Sequence, residues 1–287
     1  MNGLIGIISA IVLLYAIWQR QELKKFQVTH YKMSTSKVNK KINIVVISDL
    51  HSFSYGTDNE CLFAAVIKEN PDFILIPGDL IVTGKTAKYE IASQFISRLC
   101  ATKIPVIYSN GNHESKANMP DADCYPVFVQ YEKRLQKAGV VNLNNACRKF
   151  HVNGEPVCIY GLELPLYSYK KGRKPYLESG YLEKQLGKAP TDCLTVLLAH
   201  NPAFARQYAE WGADITVCGH NHGGLIYIPG IGSVLSPQLL PFPKYDAGEF
   251  TIAGKKIYIS RGLGTHTFHI RICNRAELVV ISVNPKK

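Results

Sequence analysis

At several places along the chain, a run of apolar residues is followed directly by side chains that can bind a metal ion. Ile42–Ile47 is rich in β-branched residues and leads to Asp49 and His51, and Phe73–Ile76 leads to Asp79. Such runs are typical of buried parallel strands, whose carboxyl ends meet at one edge of a sheet and gather ligands there. The pattern predicts an α/β fold with a polar site at that edge.

The same arrangement recurs along most of the chain. Segments with a helical pattern separate the apolar runs, at about residues 59–69, 86–101 and 126–138. Strands and helices in alternation predict βαβ units and a parallel sheet. Later strand-like segments predict a second sheet, at residues 194–198, 215–218, 225–228, 256–260 and 277–283.

Composition limits the class of protein. The 287 residues, 46% of them hydrophobic, suffice for a large α/β domain and exclude a disordered chain. The formal net charge of +11 favours anionic partners, such as a phosphorylated small molecule or an acidic lipid. We expect no nucleic-acid binding, because the sequence has no zinc-finger spacing and no basic recognition helix. The eight cysteines form no CxxC pair, which favours reduced thiols over a disulfide framework.

The amino-terminal segment is apolar from Gly3 to Trp18, with the exception of Ser9. It is slightly short for a bilayer span, but Trp18 and Arg20 at its end suit a headgroup region. A cleaved signal peptide fits less well, because no basic residue precedes the run and bulky residues occupy the place of a cleavage site. We therefore expect a transmembrane helix.

Basic residues follow this segment on its carboxyl side, and a positive flank stays in the cytoplasm. The sequence thus predicts a single-pass protein of the cell membrane whose catalytic domain lies on the cytoplasmic face. The expected divisions are a transmembrane anchor at residues 1–20, a basic polar linker at 21–41 and the main domain at 42–287.

Further candidate ligands follow the later apolar runs. They are Asn112, His113, His200, His220 and His222. One such histidine is more often a core residue than a ligand, but chance placement after five separate strands is hard to sustain. The remaining histidines lack this setting and are interpreted as surface or packing residues, namely His30, His151, His266 and His269.

In chain order, the motifs D-x-H, G-D, G-N-H-E, A-H-N-P and G-H-N-H-G-G resemble those of the calcineurin-like metallophosphoesterases. They cover the chain from about Asn43 onward. With the S-R-G-L-G-T segment at residues 260–265, they look like the bacterial membrane-associated branch that includes the YkuE and YaeI phosphoesterases. The resemblance implies a four-layer fold, a βαβ sandwich of two sheets flanked by helices, behind the predicted transmembrane helix.

The resemblance also implies two divalent metal ions, of manganese, iron or zinc. The implied ligands of the first ion are Asp49, His51, Asp79 and His222. Those of the second are Asp79, Asn112, His200 and His220, so that Asp79 bridges the pair. Imidazole nitrogens suit these borderline ions, and an asparagine amide adds a ligand without more negative charge.

By the same resemblance, His113 contacts the phosphate and protonates the leaving oxygen. Imidazole suits this role because its pKa lies near working pH. The alternative is that His113 only forms a hydrogen bond to a metal ligand.

Substrate selection is predicted to lie in the insert from Glu163 to about Lys184, where basic residues stand among tyrosines. The candidate contacts to a diphosphate are Lys170, Arg173 and Lys174, with Lys171 in the same run. A solvated loop is the alternative interpretation.

Together these features predict a hydrolase of phosphodiester or diphosphate bonds that acts on a lipid- or nucleotide-linked substrate of the membrane or envelope. Residues 78–84 lack the arginine that phosphoprotein phosphatases carry there, which disfavours a protein substrate. The alternatives are a phosphomonoesterase and a membrane-bound binding or scaffolding protein without turnover. The complete ligand set favours catalysis.

Overall fold

The structure is a computed structural model that describes residues 2–84, 89–224, 226–265 and 269–286. Within these ranges the strands form two mixed sheets and a short hairpin. The predicted α/β fold with two sheets is confirmed.

The first sheet is parallel except at one pair, where its last strand in sequence runs antiparallel to its second. Its spatial order is β1 (Phe26–Thr35), β14 (Ala276–Pro285), β2 (Ile42–Val46), β3 (Phe73–Ile76), β4 (Val106–Tyr108) and β5 (Val141–Asn142).

The second sheet is parallel in its centre and antiparallel at both edges. Its spatial order is β12 (Gly248–Ile252), β13 (Lys255–Ile259), β9 (Ile215–Cys218), β8 (Leu194–Ala199), β7 (Glu155–Leu162) and β6 (Ala146–Val152). The hairpin consists of β10 (Tyr227–Ile228) and β11 (Gly232–Ser233).

Helices cover the outer faces of both sheets. The helices of the described ranges are α1 (Asn2–Glu22), α2 (Glu60–Lys68), α3 (Glu90–Cys100), α4 (Asn112–Ala117), α5 (Tyr125–Ala138), α6 (Tyr181–Leu186) and α7 (Ala205–Trp211). Helices α2, α3 and α5 share a buried core with the first sheet, and α6 and α7 share another with the second. The layers are therefore helix, sheet, sheet and helix. The predicted helix start at residues 86–88 and the predicted strand start at residue 225 lie outside the described residues.

Strand β2 shows why its sequence is apolar on both faces. Ile44 and Val46 pack into the core between the two sheets, whereas Val45 and Ile47 pack into the core under the helices. Successive side chains of a strand point to opposite faces, so a strand that is covered twice needs an uninterrupted apolar run. The carboxyl end of this strand is thereby held rigidly where the polar residues begin.

Two strands differ from the sequence prediction. The segment at 277–283 is predicted to lie in the second sheet, but β14 lies in the first sheet between β1 and β2. Its continuous apolar run fits the centre of either sheet, so the sequence could not choose between them. Residues 21–41 are predicted to be a linker, yet Phe26–Thr35 pairs with β14 along its whole length. This edge strand is only partly buried, which explains its polar composition.

The prediction of a single-pass membrane protein is wrong. Among the described residues, no helix is both long enough and apolar enough to cross a bilayer. The last turn of α1 is polar and contacts the rest of the fold. Gln19 is buried there and forms hydrogen bonds with the backbone N–H and carbonyl of Arg271, at 3.1 and 2.9 Å, and Glu22 pairs with Arg275 at 2.5 Å.

Candidate metal centre

The predicted ligands lie on loops that follow β2, β3 and β4 of the first sheet and β8 and β9 of the second. Hydrogen bonds tie these loops to one another. The backbone N–H of His51 donates to the carbonyl of Asp79 at 3.1 Å, and that of His220 donates to Asp49 Oδ1 at 2.9 Å. The site is therefore built across both sheets, and its parts cannot move independently.

Close approach of the loops requires glycine at two positions. A Cβ on Gly111 would lie 2.2 Å from Asp79 Oδ1, and one on Gly219 would lie 2.2 Å from Asp49 Oδ2. Both distances are far below van der Waals contact. The motifs therefore place glycine beside the ligands because the carboxylates lie so close to the backbone that a Cβ has no room.

Most of the candidate ligands have an unusual backbone conformation. The φ angles of Asp49, His51, Asp79, His220 and His222 lie between 49° and 68°. Residues with a Cβ rarely adopt this left-handed region, and such strain clusters at functional sites. The fold holds these five side chains in place against a local conformational cost.

The side-chain atoms converge. The Nε2 atoms of His51 and His222 lie 3.1 Å apart, and His222 Nε2 lies 3.3 Å from Asp49 Oδ1. His200 Nε2 lies 3.0 Å from Asp79 Oδ2 and 3.8 Å from Asp49 Oδ1. Ligand atoms that surround a common ion approach one another at such distances.

Three histidines have the same orientation. Their Nδ1 atoms lie near backbone carbonyls: His51 near Ile81 at 3.2 Å, His200 near Pro77 at 2.8 Å and His222 near Gly264 at 3.2 Å. A carbonyl only accepts hydrogen bonds, so Nδ1 carries the proton of the neutral ring and Nε2 presents a lone pair. This tautomer is the one that metal-binding histidines adopt when the second nitrogen is held by a carbonyl.

The donor set fits two metal ions. Ligand atoms lie within 4.8 Å of one another in groups that include Asp49 with His51 and His222, and Asp79 with His200 and His220. Each of these groups is part of one predicted ligand set. The amide Oδ1 of Asn112 is buried and has no hydrogen-bond partner among the residues that the structure describes, which suits a metal ligand. The clusters are thus suited to a dinuclear metal site.

The charges of the site favour a cation at its centre. Burial raises the pKa of Asp49 to about 6 against the opposing charge of His200. Burial also acts to raise the pKa of Asp79, but His200, His113 and His51 outweigh it and hold that pKa well below its usual range. Burial acts to lower the pKa of His200, and Asp79 overcomes this and raises it to about 9. The same carboxylates stabilise a bound metal ion.

His113 differs from these three histidines. Its Nδ1 accepts a hydrogen bond from the backbone N–H of Thr83 at 3.1 Å. A ring nitrogen that accepts from an N–H carries no proton, so Nε2 of the neutral ring carries it. Burial lowers the pKa of His113, Asp79 opposes this effect, and Lys116 and Lys171 add to the lowering. His113 thus presents an N–H donor where the other rings present lone pairs.

Two structural residues are not among the predicted site residues. The buried carboxylate of Glu114 accepts from the backbone N–H groups of Asp79 at 2.9 Å and Gly111 at 3.0 Å, and so joins two loops. The guanidinium of Arg271 donates to the carbonyls of Gly262 and Gly264 at 3.0 and 2.9 Å. Glu114 belongs to the G-N-H-E motif, which is a signal for it, whereas no motif surrounds Arg271.

A comparison with known families decides the classification. The family model described as calcineurin-like phosphoesterase matches residues 42–224. The chain belongs to the calcineurin-like phosphoesterase family. As a member, it is a metal-dependent hydrolase whose substrate contains a phosphate.

Relatives of this phosphoesterase include the uncharacterized metallophosphoesterase YkuE of Bacillus subtilis. The two sequences are 25% identical over 244 residues, and their alignment covers 84% of this chain and 78% of YkuE. Phosphodiesterase YaeI of Escherichia coli is 22% identical over 271 residues and covers 90% of this chain and 88% of YaeI. Among solved structures, TT1561 of Thermus thermophilus is similar with a TM-score of 0.49 at 12% identity, and covers 77% of this chain and 90% of that one.

A cavity of about 510 Å³ opens at the candidate metal centre of this phosphoesterase. Candidate ligands and His113 form its base. Lys116 and Lys171, which we call the cationic rim, are exposed and also line it. His269 is exposed, as its interpretation as a surface residue requires, and it also lines this cavity.

The predicted substrate contacts do not line this cavity. Lys170, Arg173 and Lys174 are exposed and are not among its lining residues, whereas their neighbour Lys171 is. The segment is an irregular loop, so the direction of each side chain could not be derived from a period. The role of these three residues stays a prediction. Of the other histidines, His30 pairs with Glu69 at the surface at 2.8 Å, His151 is exposed, and His266 lies outside the described residues.

Proposed function

We propose that this chain hydrolyses phosphodiester or diphosphate bonds with two divalent metal ions bound at the converging side chains. The observation that carries the proposal is the shared orientation of His51, His200 and His222, whose Nε2 atoms converge on the carboxylates of Asp49 and Asp79. The Nε2 atoms of His51 and His222 lie 3.1 Å apart, and a cation bound by both lone pairs accounts for this approach.

The proposed ligand sets combine the groups of neighbouring atoms with the assignment that the family resemblance implies, which leaves His113 outside both sets although it lies close to His51 and Asp79. The first ion is bound by Asp49, His51, Asp79 and His222. The second is bound by Asp79, Asn112, His200 and His220. When bound, the ions supply an activated water as nucleophile and polarise the phosphoryl oxygens. Only two carboxylates belong to these sets, so two divalent cations leave an excess of positive charge that attracts a phosphate.

His113 serves as the general acid in this proposal. As a new P–O bond forms to the attacking oxygen, the P–O bond to the leaving group breaks, and the leaving oxygen takes the Nε2 proton of the charged His113 ring, which becomes neutral. The proton that remains on Nδ1 can be donated to Thr83 Oγ1, 3.3 Å away, and in the resting neutral ring the Thr83 N–H keeps the proton on Nε2. The lowered pKa of His113 makes the ring a better proton donor once it is charged.

Two observations favour a diester or diphosphate over a monoester. The relative YaeI is named a phosphodiesterase, and the cavity of about 510 Å³ has room for groups on both sides of a phosphate. Lipid-linked and nucleotide-linked substrates both fit this description, and the test includes both.

The experiment is a hydrolysis panel with the purified full chain and added Mn²⁺. It compares bis(p-nitrophenyl) phosphate, lipid diphosphates, nucleotide sugars, cyclic nucleotides and phosphomonoesters. We expect turnover of a diester or a diphosphate at rates well above those of monoesters. Exclusive turnover of monoesters would replace the proposal with a phosphomonoesterase, and no turnover in a chain shown to hold two metals would replace it with a binding protein.

A further inference from the structure

We infer that the cationic rim, Lys116 and Lys171, binds a second phosphoryl group on the leaving-group side of the scissile bond, so that the substrate class is a diphosphate or a phosphate ester whose leaving group carries a phosphate. This inference rests on the proposed function and specifies its substrate.

Lys116 lies on α4, three residues after His113 and four after Asn112. Residues at these spacings share one face of a helix. Lys116 is therefore held on the side of the cavity where His113 would meet the leaving oxygen, and it lines the same cavity.

Lys171 belongs to a segment whose backbone is anchored on both sides. Just before it, the carbonyl of Ser168 accepts hydrogen bonds from the buried amides of Asn201 at 3.3 Å and Gln238 at 3.2 Å. Just after it, the N–H of Gly172 donates to the carbonyl of Gln238 at 2.8 Å. These bonds fix the backbone on both sides of Lys171, although its side chain is exposed.

The same segment contacts the metal centre. Tyr169 is buried, and its ring lies edge-on to that of His220 with 5.0 Å between centroids. The turn at Leu166–Tyr169 also packs against α4. The two lysines therefore approach His113 from two elements that contact each other, and the gap between their side chains is part of the cavity.

Among the residues that the structure describes, no carboxylate forms an ion pair with Lys116 or Lys171. One phosphoryl group satisfies the excess charge of two metal ions with two carboxylates. A second phosphoryl group needs separate cations, and two ammonium groups beside the leaving-group position supply them. With a neutral leaving group, neither ammonium group would have an anionic partner in the substrate.

The test measures binding without turnover. The full chain loaded with Mn²⁺ is titrated by calorimetry with AMP and with α,β-methylene-ADP, which differ by one phosphoryl group and a bridge that is not hydrolysed. We expect the wild type to bind α,β-methylene-ADP about tenfold more tightly than AMP, because two charge-assisted hydrogen bonds from exposed lysines retain only part of their strength in water.

The variants are Lys116→Met, Lys171→Met and the double variant, with Lys170→Met and Arg173→Met as matched controls on the same loop. Each single rim variant should lose about threefold of the preference and the double variant should lose all of it. Lys171→Arg should retain most of it. The controls should keep the preference. The nucleotide can also chelate Mn²⁺, but this effect is the same for every variant and cannot produce a difference between them.

A preference that persists in the double variant, or a wild type that binds both nucleotides equally, overturns the inference. Failure of the proposed function gives another result, in which AMP does not bind the Mn²⁺-loaded chain and no phosphoester is hydrolysed. Melting temperature and metal content, measured for every variant, exclude misfolding as the cause of a lost preference.

Discussion

The base and the rim of the cavity are built in opposite ways. At the base, strained residues such as Asp49 and His51 are buried and bound to the backbone of neighbouring loops. At the rim, Lys116 and Lys171 are exposed side chains on an anchored backbone. A rigid base can therefore carry a chemistry shared by a family, while the rim can change its substrate without disturbing the metals.

The largest effect should follow removal of the bridging carboxylate at the base. We expect Asp79→Ala to lower turnover to background, by more than about 10⁴-fold, and to remove both metals, because Asp79 contributes to both ligand sets. Metal analysis and hydrolysis of bis(p-nitrophenyl) phosphate measure this. Asp192→Ala at an exposed position is the control. Two metals retained by Asp79→Ala would contradict the bridging role.

A smaller effect should follow replacement of the proton donor. We expect His113→Gln to lower kcat by about 10²-fold and to leave two metals bound, because general acid catalysis contributes on that order. Single-turnover kinetics and metal analysis separate the two properties. Loss of one metal in this variant would make His113 a ligand, which its position near His51 and Asp79 also allows.

Substitution of Arg271 tests whether the base depends on a buried side chain that stabilises the backbone beside it. Its side chain holds the carbonyl of Gly264, which also holds His222. We expect Arg271→Met to destabilise the fold by about 3 kcal/mol, because the buried carbonyls that Arg271 bonds lose their donors, with a fall in Tm of roughly 6–10 °C. We also expect the metal affinity to fall by about tenfold. Arg275→Met, at a surface pair with Glu22, should leave metal affinity unchanged. Equal metal affinity in both variants would limit Arg271 to stability.

The smallest effect should come from salt, and it should act on the rim alone. Raising the ionic strength from about 0.05 to about 0.5 M should weaken binding of α,β-methylene-ADP by a few-fold more than binding of AMP, because exposed charges are screened. Metal content should not change, since the base is buried. Equal salt sensitivity of both nucleotides would argue that the rim makes no separate contribution.

The position of the polar residues at the base could be predicted from the sequence, because each follows a strand that is apolar on both faces. Such a strand has a recognisable pattern, and the residues at its carboxyl end must lie at one edge of the sheet. The apolar runs before Asp49, Asp79 and His220 therefore located the site before any contact was known. The structure brings these side chains together as that argument requires.

Other features depend on long-range contacts that leave no local pattern. Lys171 lines the cavity and Lys170 does not, although they are adjacent in an irregular loop. Arg271 acts on carbonyls of another loop through its side chain. Strand β1 is a half-buried edge whose polar residues resemble a linker. For α1, an apolar composition suggested a span that the described helices do not support.

Whether the base holds a pair of ions is decided by the metal content of the full chain, measured by elemental analysis after loading with manganese, iron or zinc and removal of excess ion. We predict two bound transition-metal ions per chain, and fewer than one in Asp79→Ala. A wild-type chain that binds no such ion under these conditions would contradict the dinuclear site, because the convergence of His51, His200 and His222 on two carboxylates would then need another explanation.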